Sequence, residues 1–151
     1  MNDTSLIEKP PYNLKRIWRK VCIVVGKSSL LPPRLRISCY KMRGVNIKDS
    51  CFIGSNVEFD GIYPNLIEIG KECVITSGCV ILSHFFNTND RKFYAGRVVI
   101  GKGVFIGMNT LIVNAVNIGD GAVIGAGSIV NRDIPAGEIW AGNPARFIKK
   151  L

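Results

Sequence analysis

Between residues 100 and 130 the chain sets an aliphatic side chain at every sixth position: Ile100, Ile106, Ile112, Ile118, Ile124 and Val130. The residues two places earlier, Val98, Val104, Thr110, Val116, Ala122 and Ser128, are all small or β-branched. Helical side chains recur about every 3.6 residues and strand side chains every two. A period of six fits neither pattern and predicts a solenoid. The same register runs upstream through Ile47, Ile53 and Phe59, then Ile69, Ile75 and Ile81. Their partners two places earlier are Val45, Cys51 and Val57, then Ile67, Cys73 and Cys79. In a parallel β-helix the large aliphatic points into the prism and the small residue fits where the interior narrows. Glycine follows the aliphatic at Gly101, Gly107, Gly119 and Gly125, where it is expected to give the corner backbone freedom. A βαβ sheet protein is excluded, because no stretch between the hexads has helical periodicity.

The fold class read from this pattern is all-β. The 151 residues suffice for one domain, and about twelve hexads give roughly four three-sided coils. Residues 1–44 form an N-terminal arm and helical cap. Within them, 1–12 read as a loose arm, 13–25 as one helix, and 34–43 as a second helix after Pro32-Pro33. Residues 45–134 form the coil, broken briefly at 60–65 and by a longer loop at 83–97. Residues 135–151 form a tail that packs on the coil through Ile139, Trp140, Phe147 and Ile148. A stack of coils has open ends and flat faces, so capping and self-association are expected.

Five cysteines, an odd number, argue against a disulfide framework. Cys51, Cys73 and Cys79 take the small inward position, where Cys serves as a compact apolar residue. Reduced thiols suit the cytoplasm. The N-terminus lacks a basic stretch followed by a long apolar run, so no signal peptide is expected. The run from Val21 to Val25 is too short to cross a membrane. The net charge of +9 is concentrated early, from Lys15 and Arg16 through Arg36, Lys41 and Arg43. No nucleic-acid-binding motif accompanies it. A solvated helix face accounts for it, and peripheral contact of 13–25 with an anionic membrane, with Trp18 at the interface, is the other reading.

His84 is the sole histidine and stands at the mouth of the longest interruption. Loops on a rigid scaffold are where chemistry concentrates, and an imidazole exchanges a proton near neutral pH. No metal is expected, since zinc would require several histidines or clustered cysteines at ligand spacing. Asp60 opens the first interruption. It reads as a turn aspartate, as an acceptor for a substrate hydroxyl, or as a partner that orients His84. One coil is eighteen residues, so Met108 and Ala126 fall on one edge of neighbouring coils, about 4.8 Å apart, and a long thin ligand would fit along that ladder.

The hexads, the stretch FDGIYPNLIEIG…GCVILSHF and the ending GAGSIVNRDIPAGEIWAGNPARFIKK together resemble the hexapeptide-repeat acyltransferases. The likeness spans residues 45–151 and is greatest to the branch acting on sugars and polysaccharides, which includes the maltose and galactoside O-acetyltransferases. It implies a left-handed parallel β-helix and an acetyl group carried from acetyl-CoA to a sugar or polysaccharide hydroxyl. His84 matches the general base of that family, and the Met108 backbone N–H its oxyanion donor. Ala126, Asn131, Arg132, Arg146 and Lys149 match positions along the coenzyme A groove; for Arg146 and Lys149 ordinary surface charge is an equal reading. The resemblance also implies a homotrimer, with His84 of one chain near the groove of its neighbour. Phe105, Met108 and Phe85-Phe86 depart from residues common among relatives and bear on the acceptor pocket. N-acetylation of an amino sugar or xenobiotic, and a non-catalytic assembly module, are the alternatives.

Overall fold

The computed structural model describes residues 4–6 and 28–151. The helix expected at 13–25, with Trp18, Cys22 and the cations from Lys15 to Lys27, lies outside the described residues. Among the described residues the first elements are β1 (Thr4–Leu6) and α1 (Pro33–Arg43). The first coil contains β2 (Asn46–Ile47), β3 (Phe52–Ile53) and β4 (Glu58–Phe59). A 3-10 turn at Pro64–Leu66 leads to the second coil, β5 (Ile67–Ile69), β6 (Val74–Ile75) and β7 (Val80–Ile81). A hairpin follows, β8 (His84–Asn87) and β9 (Lys92–Gly96). The third coil is β10 (Val98–Ile100), β11 (Phe105–Ile106) and β12 (Leu111–Ile112). The fourth is β13 (Asn117–Ile118), β14 (Val123–Ile124) and β15 (Ile129–Val130). The chain ends with β16 (Glu138–Ala141) and β17 (Arg146–Lys150).

Successive coils stack these strands into three parallel faces. One is β2-β5-β10-β13, the second β3-β6-β11-β14-β16, and the third β4-β7-β12-β15. Together they form a left-handed parallel β-helix. Phe105 pairs with Val123 and Leu111 with Ile129, a step of eighteen residues. All twelve aliphatic or aromatic hexad residues point inward and none is more than 3% exposed. Fully burying one Ile is worth about 1.5–3 kcal/mol, so the prism interior supplies the main stabilisation. Cys73 and Cys79 are buried as expected, whereas Cys51 is only partly buried because it lies in the terminal coil.

Four local features depart from the sequence reading. The glycines after the inward aliphatics do not provide unusual backbone angles; they let neighbouring coils touch. A Cβ on Gly107 would lie 2.5 Å from the Ala126 nitrogen, so no side chain fits there. The left-handed position comes two residues after each of these glycines, at Gly103, Asn109, Gly121 and Gly127, with φ 66°, 57°, 67° and 68°. The coil also continues past Pro135: β16 pairs in parallel with β14, Val123 with Ile139 and Ile124 with Trp140, a step of only sixteen. The segment 83–97 is an antiparallel hairpin, and the arm contributes β1 to it, Ser5 opposite Ala95.

The fourth concerns the early charge. α1 begins at Pro33, whose fixed φ suits a first helical position. It ends at Gly44 in the left-handed region, φ 106°, with its N–H on Lys41 O at 2.9 Å. Its buried face is not apolar but consists of Arg36, Tyr40 and Arg43, spaced i, i+4, i+7. These side chains donate to carbonyls at the open end of the first coil. Arg36 Nη1 reaches Ile53 O at 2.9 Å, Tyr40 Oη reaches Val57 O at 2.7 Å, and Arg43 Nη2 reaches Phe59 O at 3.2 Å. Burial pushes the Tyr40 hydroxyl up to about 12, so it remains a donor. A terminal coil exposes a row of unpaired backbone groups. The helix therefore caps that end with hydrogen bonds, and Arg36 and Arg43 are not part of a solvated face.

Candidate active site

The two interruptions leave the coil at the same corner, one coil apart. Asp60 follows β4 and its N–H donates to Ile81 O at 2.9 Å, which seats it directly against the coil that ends in Ser83 and His84. The Asp60 side chain is fully buried. Its Oδ1 accepts the N–H groups of Ile62 at 2.7 Å and Tyr63 at 2.9 Å, the two residues of its own tight loop. Its Oδ2 accepts Ser83 N–H at 2.9 Å, His84 N–H at 3.1 Å and the His84 ring Nδ1 at 2.5 Å. The Ser83 hydroxyl ties the same corner together by donating to Tyr63 O at 2.9 Å. Burial pushes the Asp60 carboxyl up, but the hydrogen bonds from Tyr63, His84 and Ile62 outweigh it, so its pKa lies below the ordinary 3.8. A carboxylate with this many donors is held ionised.

An ionised carboxylate can only accept, so the ring nitrogen facing it carries the proton. Nδ1–H is thus fixed toward Asp60, and the Nε2 lone pair is left on the far side of the ring. The His84 side chain is 25% exposed. Of the two functional roles expected for Asp60, the geometry serves the orientation of His84. A direct bond to a substrate hydroxyl is not available to it, because both oxygens are buried and occupied.

The second group of residues lines the corner between the second and third faces. The Met108 side chain is exposed, and its carbonyl accepts Gly127 N–H at 2.7 Å. Its own N–H has no partner among the described residues, although Gly107 and Asn109 on either side both donate, to Ile124 O and Ser77 O. Ala126 repeats this one coil on, between Gly125 and Gly127, which donate to Trp140 O and Met108 O. The corner thus presents a ladder of unused amides, in register because the coils touch at Gly107. Arg146 pairs with Ala141 across β16 and β17, beside the last rung of this corner, and Lys149 pairs with Ile139; both are exposed.

Asn131 and Arg132 stand elsewhere. They follow β15 and share the His84 corner, where Asn114 Nδ2 donates to Asn131 O at 3.1 Å. The third face lies between the two corners, with β7 pairing β12, Val80 with Leu111. Some five to seven extended residues separate His84 from the level of Met108, roughly 15–20 Å. Within one chain the imidazole and the Met108 amide do not converge. Among the described residues no His, Cys, Asp and Glu group could hold a metal ion, and no helix is long and apolar enough to cross a membrane. The sequence reading missed Arg43, whose Nη2 also donates to Asp60 O at 3.3 Å. The i, i+4, i+7 spacing of Arg36, Tyr40 and Arg43 was the available signal.

Comparison with known proteins matches residues 97–132 to the bacterial transferase hexapeptide, six repeats, and residues 44–83 to the hexapeptide repeat of succinyl-transferase. A Bacillus subtilis protein, YvoF, named as an acetyltransferase, is 40% identical over 89 residues, 59% of this chain and 51% of its own. The chain therefore spans about half the length of that curated relative. The polySia-specific acetyltransferase NeuO superposes with a TM-score of 0.57 at 31% identity, over 66% of this chain and 49% of its own. A galactoside acetyltransferase in complex with coenzyme A superposes with a TM-score of 0.67 at 25% identity, over 90% and 80%.

Proposed function

The chain belongs to the hexapeptide-repeat transferases, and from that premise we propose that it carries the acetyl group of acetyl-CoA to a hydroxyl of a sugar or polysaccharide precursor. The observation that carries this reading is the Asp60–His84 pair, with Nδ1–H on a buried carboxylate and Nε2 unoccupied. His84 Nε2 takes the proton of the acceptor hydroxyl as that oxygen attacks the thioester carbonyl. Asp60 keeps the ring in the productive tautomer and offsets the charge it acquires. The Met108 N–H donates to the carbonyl oxygen as negative charge gathers there. The protonated ring then returns its proton to the departing thiolate. No covalent enzyme intermediate is needed, and the buried Cys73 and Cys79 take no part.

The amide ladder at Met108 and Ala126 suits an extended chain of amides such as the pantetheine arm, and Arg146 and Lys149 offset phosphates at its far end. Asn131 and Arg132 lie on the His84 corner. They join that groove only when a neighbouring chain brings the two corners together, as a homotrimer does. The separation of His84 from Met108 within one chain supports the same arrangement. The acceptor assignment draws on NeuO, which is specific for polySia, and on the galactoside enzyme.

Incubation with acetyl-CoA and a panel of mono- and oligosaccharides, read by thiol release, tests the proposal. Release that depends on a hydroxyl acceptor and disappears in H84A supports it. Release that is unchanged in H84A, or that occurs only with amines, overturns it.

A further inference from the structure

We infer that Arg43 is a positioning residue for His84, acting through the main chain of Asp60. The inference rests on the role proposed for His84. Arg43 is the last residue of α1 and only 2% exposed. Its Nη2 lies 3.2 Å from Phe59 O and 3.3 Å from Asp60 O, on consecutive carbonyls of the strand end that delivers Asp60 to the corner. Asp60 is held on its other side by Ile81 O at 2.9 Å, and its carboxylate in turn holds the backbone and ring of His84. The guanidinium thus fixes the one side of Asp60 that the coil cannot, because no further coil lies beyond it.

A buried charge is costly to desolvate unless it is hydrogen-bonded, and capping the coil requires only that its end carbonyls find donors. Arg36 shows what capping alone requires. It is similarly buried on the same helix face and donates to Ile53 O at 2.9 Å, but it reaches neither Asp60 nor its loop. Both arginines close the end of the first coil, and only Arg43 touches the residue that orients the histidine. Nη2 carries two N–H bonds in the guanidinium plane, and sharing that one nitrogen between two adjacent carbonyls holds both at a set position relative to the buried side chain.

The two arginines form their own control. R43M and R36M fill similar volume and each removes a cap, so both lower Tm. The chain has one histidine, so imidazole nitrogen signals from 15N-histidine protein arise from His84 alone. In R43M the downfield Nδ1–H signal is lost or exchange-broadened and the tautomer becomes mixed, while R36M keeps the wild-type spectrum. Activity follows the same split: kcat falls about ten- to a hundredfold in R43M, with KM for acetyl-CoA unchanged, and stays near wild type in R36M. If R43M does not fold, R43K carries the same comparison, since it keeps the charge but replaces the planar Nη2 amino group with a freely rotating ammonium. Identical histidine spectra in the position-43 and position-36 variants, or equal loss of kcat in both, would overturn the inference. The NMR comparison needs no substrate, so a failure of the transferase reading leaves it decisive for Arg43.

Discussion

Asp60 grips His84 twice with one oxygen: Oδ2 accepts the backbone N–H at 3.1 Å and the ring Nδ1 at 2.5 Å. Both the position of the ring and its rotation are therefore set by one carboxylate. In D60N the amide can face Nδ1 with its oxygen or with its nitrogen, so the tautomer is no longer fixed. We predict a fall in kcat of about 10²–10⁴-fold with the fold intact, checked by steady-state kinetics and circular dichroism.

The same carboxylate gives a pH signature. Its folded pKa is below the ordinary 3.8, so the stability it supplies is complete above that value. As pH falls from about 3.8 toward the folded pKa, the unfolded chain binds a proton that the folded chain resists, and the contribution is lost. Asparagine does not titrate. The Tm difference between wild type and D60N is therefore greatest above pH 4 and narrows below it, which thermal melts in a pH series will measure.

Gly107 tests the coil contact. G107A places a Cβ 2.5 Å from the Ala126 nitrogen and forces the rungs apart, at about 1–3 kcal/mol. Because the displaced backbone carries the amide ladder, coenzyme A affinity falls as well. G103A adds a Cβ in open space at φ 66° and strains only its own backbone, about 1–2 kcal/mol. Calorimetric titration separates the two variants: only G107A loses affinity.

Thiol accessibility checks the prism interior. Burial pushes the Cys73 thiol up to about 11 and raises Cys79 as well. Both side chains are fully buried. A thiolate is the reactive form. In native protein an alkylating reagent at pH 8 modifies Cys39 and Cys51 well before Cys73 and Cys79, and denaturant abolishes the difference. Peptide mass mapping after timed alkylation reads the order.

The hexads were legible because burial in a three-sided prism imposes a period that no other regular structure shares. Ile53, Ile81 and Ile112 could be assigned inward from spacing alone. The Asp60–His84 contact was not legible to the same degree. It depends on two insertions, after Phe59 and after Ile81, leaving the coil at one corner, and the sequence does not state where an insertion re-enters. Arg36 and Arg43 read as solvated in the sequence because long cations on a helix usually are. The shortened turn after Val130 escaped because the inward residue Ile134 comes four places on instead of six.

The touching of coils at Gly107 and Ala126 has a consequence for size. Every rung along that corner adds the same increment, about 4.8 Å. The span from the Met108 amide to the cations of β17 is therefore fixed by how many turns the chain makes, not by which side chains decorate them. The corner acts as a ruler. Duplicating residues 99–116 would lengthen it by one graduation while leaving each end as it stands.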